Sequence, residues 1–233
     1  MNKNYLLLII SAVIAVTALV LDASHLFNSN HQGKAMTIKL PEPSTEGALS
    51  LEECLYKRRS IRSYKNEPLS LADVSQLLWA AQGITADSFY RTAPSAGARY
   101  PLEVYLVAGN VTGLQAGIYY YKIKEHALEM KKAGDSREKM RAASWDQSMI
   151  TEAPVSIFLS AVFSRVTAKY GDRGRNYVYM EAGHAGQNIY LQSYALGCGT
   201  VAIGAFDDNG MKELFSLPPD QEPLYVFPVG KIK

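Results

Sequence analysis

Apolar positions are dense at the start of the chain. After Lys3, the run from Tyr5 to Leu21 carries no charge. That pattern predicts a signal peptide or membrane anchor over residues 1–21. Val16-Thr17-Ala18 offers the small residues of a cleavage site, while the run is close to the ~20 apolar residues that a spanning helix needs. Cleaved and uncleaved forms both stay open. Either one predicts a membrane-anchored or exported protein that meets the membrane only through this segment. Residues 22–48 contain Asn28-Ser29-Asn30, Gly33, Pro41, Pro43 and Gly47, the composition of a linker.

From Leu49 to the C-terminus the pattern alternates between helical and extended periods. Ser50 and Glu53 read as a capping box, followed by a stripe of Leu51, Cys54 and Leu55. Ser70 with Asp73 opens a second helix whose face is Leu71, Val74, Leu77, Leu78 and Ala81, with Gly83 as its stop. A loop of small residues runs over 85–101. Val104, Leu106 and Ala108 alternate as a strand, and 117–121 with 126–130 form a hairpin around Lys124-Glu125. Residues 135–145 suit a short amphipathic helix and 154–161 a buried strand. The longest helix spans about 176–196 and ends at Gly197. Its Ala182, Gly183, Ala185 and Gly186 leave room for another helix. Residues 200–203 and 224–229 read as strands, with a capped helix from Asp208 to Leu217 between them. The helices are too long and the crossovers too few for a doubly wound sheet, so the expected class is α+β over 49–233.

Composition removes several classes of function. The chain has 233 residues with a formal charge of +2, too little for a binder that holds nucleic acid by bulk electrostatics. Its fifteen tyrosines do not interleave with long basic runs. Cys54 and Cys198 are the two cysteines, and neither lies in a CxxC or Cys/His cluster. No dinucleotide fingerprint, P-loop or G-x-S-x-G is present. Asp207-Asp208 reads as helix caps. Glu181 and His184 have the spacing of a di-iron motif, but the second copy that such a site needs is missing. No metal is expected.

The densest chemistry lies in Arg58-Arg59-Ser60-x-Arg62, directly behind the first helix. A helix C-terminus repels anions, so an anion held here is held by side chains. The planar fork of arginine meets phosphate oxygens bidentately. The plainer reading is that these cations only complement the helix end. Three further stretches invite an anion or an aromatic ring: Pro94-Ser95-Ala96-Gly97-Ala98-Arg99-Tyr100-Pro101, Gly199 to Phe206, and Pro228 to Lys233.

Taken in order, and joined by Lys169-Tyr170-Gly171 and Glu181-Ala182-Gly183-His184-x-x-Gln187-Asn188, these stretches resemble the FMN-dependent nitroreductase family. Within it they are most similar to the branch of the thiazoline/oxazoline peptide dehydrogenases. The resemblance covers about residue 49 to the C-terminus. It implies an α+β fold with a central mixed, mainly antiparallel sheet flanked by helices, in a homodimer with FMN at the interface. It assigns Arg58, Arg59 and Ser60 to the FMN phosphate and ribityl chain, and Arg62 to the pyrimidine edge. Pro94, Ser95, Ala96 and Gly97 match a loop that reaches the flavin of the other subunit. Gly204 and Ala205 match the backbone beside the reactive nitrogen, and Lys231 adds charge at the phosphate; Lys233 reads as a solvated chain end. Lys169 and Tyr170 match a catalytic pair in which the phenol accepts a proton; a pair that merely packs is the alternative.

The sequence departs from many nitroreductases in three places. Gly204 stands where they have Glu, the Pro-Ser loop lacks the usual Asn and Gln-Pro-Trp pattern, and the chain stops at Lys233 without a wrapping arm. The expected function is an FMN-dependent oxidoreductase moving electrons between NAD(P)H, or a small organic or peptide substrate, and an acceptor. The alternatives are a peptide azoline dehydrogenase, a non-catalytic flavin-binding module, and an interaction domain without cofactor.

Overall fold

Two strands buried along their whole length form the spine of the fold, β5 (Leu102–Ala108) and β9 (Val155–Val162). The computed structural model describes residues 36–86 and 89–233. β5 and β9 pair antiparallel at the centre of a seven-stranded sheet. Outward on one side follow β7 (Gly117–Lys122), β8 (Ala127–Ala133) and β1 (Thr37–Lys39). On the other side stand β11 (Gln221–Lys231) and β10 (Cys198–Thr200). Every pair in this sheet is antiparallel. Two small ladders flank it: β2 (Leu69–Ser70) with β6 (Val111–Thr112), which is parallel, and β3 (Ile84–Ala86) with β4 (Tyr90–Arg91).

Both faces of the sheet are covered, which explains why β5 and β9 bury every residue. On one face, Val104, Leu106, Ile157 and Leu159 pack under α2 (Leu71–Gln82) and α6 (Arg173–Ala195) through Leu77, Leu78, Val178, Ala182, Ala185 and Ile189. On the other, Tyr105, Val107 and Phe158 meet Met140 of α3 (Arg137–Ala143), Ile150 of α4 (Met149–Glu152) and Met211, Leu214 and Phe215 of α7 (Asp208–Phe215). Two short helices complete the set, α1 (Leu51–Lys57) and α5 (Ser164–Tyr170). The architecture is the α+β one expected.

Several details differ from expectation. The linker 22–48 gives up its last part to the fold, since Thr37–Lys39 pair with β8 and Leu40 is buried. At α1, the Ser50 hydroxyl accepts from Glu53 N at 3.1 Å, but Glu53 accepts from Lys57 Nζ at 2.8 Å and does not reach back to Ser50. Ser70 and Asp73 do form the full box. Leu51 and Leu55 lie exposed while Cys54 is buried, so the α1 stripe is not a core face. Strand β10 ends at Thr200, and Ile203 keeps only an isolated bridge to Val226. Asp207 caps α7, accepting from Asn209 N and Gly210 N, both at 3.1 Å.

The expected membrane-anchored or exported location is withdrawn. Among the described residues no helix is long and apolar enough to cross a membrane. The segment 1–21 lies outside the described residues.

Candidate active site

The arginine stretch leaves α1 and is stitched along the β10 edge of the sheet. Arg58 N closes the helix on Cys54 O at 2.9 Å, and Ser60 bridges to Thr200 in parallel. Ile61 N donates to Thr200 O at 2.9 Å, and Lys65 N to Lys231 O at 2.9 Å. Tyr64 is buried, and its hydroxyl donates to Ile61 O at 2.8 Å and Pro228 O at 3.1 Å. Burial pushes the Tyr64 phenol well above its ordinary value. This residue is therefore an anchor for the stretch rather than a proton carrier.

Beside the stretch lies a cleft of about 220 Å³, lined by Arg58, Arg59, Ile61, Tyr190, Gly199 and Thr200 among others. Tyr190 of α6 holds it together. Its hydroxyl stands 3.0 Å from Ser60 Oγ and accepts from Ala202 N at 2.8 Å, and the Arg58 guanidinium lies 5.0 Å from its ring centroid. Arg59 donates to the carbonyls of Tyr56 and Arg58 at 2.9 and 2.7 Å. Among the described residues no carboxylate pairs with Arg58, Arg59 or Arg62 within 4 Å, although ten ion pairs form elsewhere. Two guanidinium groups without a carboxylate partner among the described residues, those of Arg58 and Arg59, line this cleft and fit a phosphate monoester; Arg62 is exposed and does not line it. No sequence signal marked Tyr190, one of fifteen tyrosines.

Lys231 is the cation expected at the phosphate. Its ammonium donates to Leu196 O at 3.1 Å and to Asp73 Oδ2 at 3.5 Å, which engages it inside the fold. Lys233, the expected solvated end, donates to Ser63 Oγ at 2.6 Å, within the arginine segment. Cys198 beside them is fully buried, and burial pushes its thiol up to about 11. It is packing, not a nucleophile.

A second group gathers at the other end of α6. Loop 94–97 meets Lys169-Tyr170 within one chain. A Cβ built on Gly97 would stand 2.5 Å from the Tyr170 hydroxyl and 2.9 Å from Lys169 Nζ. Gly97 also has φ +56°, so only glycine fits there without strain. Lys169 Nζ lies 5.2 Å from the Tyr170 ring centroid, and Tyr177 stacks edge-on at 5.3 Å. Gly204 lines a separate groove of about 260 Å³ with Tyr179, Ala182 and Phe206, and it packs on Tyr225. Ala205 is exposed beside it, and its carbonyl accepts from Gln147 Nε2 at 3.0 Å. The two grooves lie along α6, and residues 179 and 190 are about 16 Å apart on its axis. Among the described residues three cavities are larger: those of about 470 and 520 Å³ are lined by other residues, and one of about 400 Å³ is lined by Arg91 and by Pro94, Ser95, Ala98 and Tyr100 of the loop itself. Glu181 is buried and His184 exposed, so the two do not converge on a metal.

The nitroreductase family profile matches residues 55–231. The chain belongs to the nitroreductase family. It is 40% identical over 199 residues to a Methanocaldococcus jannaschii protein named as nitroreductase MJ1384, covering 85% of this chain and 98% of that one. The Escherichia coli microcin B17-processing protein McbC is 27% identical, over 64% of this chain and 57% of its own length. The chain therefore spans little more than half of McbC. Among solved structures, a Ralstonia eutropha protein named as a nitroreductase superposes with a TM-score of 0.75 at 31% identity, covering 84% of this chain and 90% of that one. The E. coli McbBCD complex with truncated pro-MccB17 bound gives 0.67 at 23%, covering 90% and 82%, and shares the fold. This family member is an oxidoreductase.

Proposed function

We propose that this oxidoreductase binds one FMN per chain and works as a homodimer, passing electrons from NAD(P)H or an organic substrate to an acceptor. The observation that carries the reading is the pair of guanidinium groups, Arg58 and Arg59, that line the Tyr190 cleft with no carboxylate partner among the described residues. Arg58 and Arg59 hold the phosphate, and Ser60, fixed by Tyr190, holds the ribityl chain. Arg62 adds positive charge toward the pyrimidine edge, and the exposed Gly204 and Ala205 let backbone approach the ring. FMN, when bound, supplies the redox chemistry by taking up and returning an electron pair. The protein supplies orientation, charge and protons. Tyr179, Met180 and Gly183 form an exposed stripe on α6, which supports a partner subunit there. Anaerobic titration with NADPH tests the reading: bleaching of the yellow protein supports a reductase. Bleaching by dithionite alone would point to a dehydrogenase of another substrate or to a non-catalytic flavin module.

The contact of Gly97 with Lys169 and Tyr170 favours a second reading, dehydrogenation of a peptide azoline. McbC and the McbBCD complex carry names that place them in peptide processing. In this reading Lys169 orients Tyr170, and the phenolate form of Tyr170 would take the substrate proton. Such an enzyme needs a peptide and a cyclising partner. Oxidation of a thiazoline peptide with loss of activity in Tyr170→Phe would support it.

A further inference from the structure

Glu181 is the charged group that neither reading uses. It sits on the inner face of α6 with 2% exposure, and neither carboxyl oxygen makes a hydrogen bond of full geometry. Helix α6 packs here on the 3-10 turn Ala96–Ala98. The loop around that turn is strained: Gly97, Ala98 and Tyr100 all have left-handed φ, at +56°, +52° and +46°. Ala98 and Tyr100 lack glycine's freedom, so surrounding contacts must impose this shape.

Those contacts can be named. Tyr100 N donates to Ser95 Oγ at 2.8 Å, Tyr100 O accepts from Arg165 at 3.0 Å, and the Arg91 guanidinium lies 4.2 Å from the Tyr100 ring centroid. Ser95 and Arg91 are also the two groups that act on Glu181. Arg91 donates to Gln82 of α2 at 2.8 Å, yet its Nε is buried without a partner.

We propose that Glu181 is a positioning residue: its carboxyl, protonated, lets the Ser95–Tyr100 loop seat with Gly97 against Lys169-Tyr170, and its ionisation lifts that loop. The argument is one of linkage. Burial pushes the carboxyl up and outweighs the Ser95 hydroxyl and the Arg91 guanidinium, which pull it down, for a net value of about 7. A state in which water reaches Glu181 returns it toward 4.5. The seated form therefore holds the proton more tightly, and removing it favours the lifted form. From β4 the charged group facing Glu181 is Arg91. Behind Arg91 stand Glu103 of β5, Tyr100 of the loop and Arg165 of α5, while Gln82 of α2 is neutral. Glu103 is itself bonded to Arg165 and Tyr120. The argument stands whether or not the flavin reading holds.

Hydrogen exchange of the amides over 95–100 in the purified full-length protein tests it, after correction for intrinsic exchange chemistry. The wild type is expected to show an opening equilibrium that rises roughly tenfold or more between pH 5 and 7 and levels off above. Glu181→Gln keeps the shape, removes the titration and should flatten the profile to within about twofold. In infrared spectra, a protonated carboxyl band should titrate near neutral pH in the wild type and vanish in Glu181→Gln. Ser95→Ala should move that titration upward, because the hydroxyl that pulls the carboxyl down is lost. The same pH dependence in Glu181→Gln as in the wild type, or a carboxyl titration that Ser95→Ala leaves in place, would overturn the proposal.

Discussion

Two glycines one turn apart on α6 make opposite predictions. A Cβ on Gly186 would stand 2.8 Å from Phe227 Cζ of β11, the strand paired with β9. A Cβ on Gly183 would meet nothing within 4 Å. Replacing a mid-helix glycine by alanine returns about 0.5–1 kcal/mol of backbone entropy at either site. At Gly183 that gain is unopposed, so Gly183→Ala should stabilise the isolated subunit by that amount. At Gly186 it is set against overpacking of a rigid ring, which costs about 1–3 kcal/mol, so Gly186→Ala should lose up to about 2 kcal/mol net. Gly183→Leu leaves the subunit fold intact but plants a large side chain on the exposed stripe of Tyr179 and Met180. It should weaken dimerisation and flavin retention together. Urea denaturation gives the subunit terms, and sedimentation equilibrium with flavin absorbance gives the association terms. Full dimerisation of Gly183→Leu at micromolar concentration would remove α6 from the interface. Unchanged stability in Gly186→Ala would mean that Phe227 yields, and the packing argument would fail.

Three further outcomes follow from the site. Arg58→Ala removes a charge-assisted contact worth about 1.5–3 kcal/mol, so FMN affinity measured by fluorescence quenching should fall roughly tenfold or more; normal affinity in the Arg58→Ala/Arg59→Ala double variant would reduce the arginines to helix-end charges. Tyr170→Phe should leave fold and FMN content intact and slow azoline oxidation by ~10²–10⁴-fold; equal turnover with every accepted substrate would remove the pair from the chemistry. Glu181→Gln should change stability with pH in one direction. The folded carboxyl is raised from 4.5 to about 7, so its contribution is fully present below about pH 4.5 and lost as pH rises through about 7. At 1.36 kcal/mol per pH unit the variant should gain up to about 3 kcal/mol over the wild type above pH 7 and little at pH 4.5. A gain of equal size at both pH values in chemical denaturation would contradict the burial argument.

The sequence exposed the features whose physics is local. Ser70 and Asp73 cap α2 because both partners lie within one turn. The arginines emerge at the end of α1 because Arg58 N still reaches Cys54 O. What it hid depends on the third dimension. The periodicity of Leu51, Cys54 and Leu55 is genuine, but no element covers two of them in one subunit. Gly183 and Gly186 look alike in sequence, yet the first is exposed and the second is buried against Phe227. Lys231 donates to Asp73, 158 residues away, and Lys233 to Ser63, contacts that spacing alone does not reveal. Tyr190 carries no local signal, and the spacing of Glu181 to His184 does not reveal its burial, since each matters through residues brought from distant strands and loops. The 1–21 pattern is composition alone, with no packing partner in the sequence to test it.

The central claim is that Arg58, Arg59 and Ser60 hold FMN. Its most direct test is to heat-denature the purified protein and its Arg58→Ala/Arg59→Ala variant, then quantify the released flavin by chromatography. The account predicts about one FMN per chain from the wild type, in line with the lack of any adenylate-binding fingerprint, and a large loss from a variant that remains folded. Release of FAD, a protein that stays colourless after FMN reconstitution, or full FMN retention in the folded variant would contradict it.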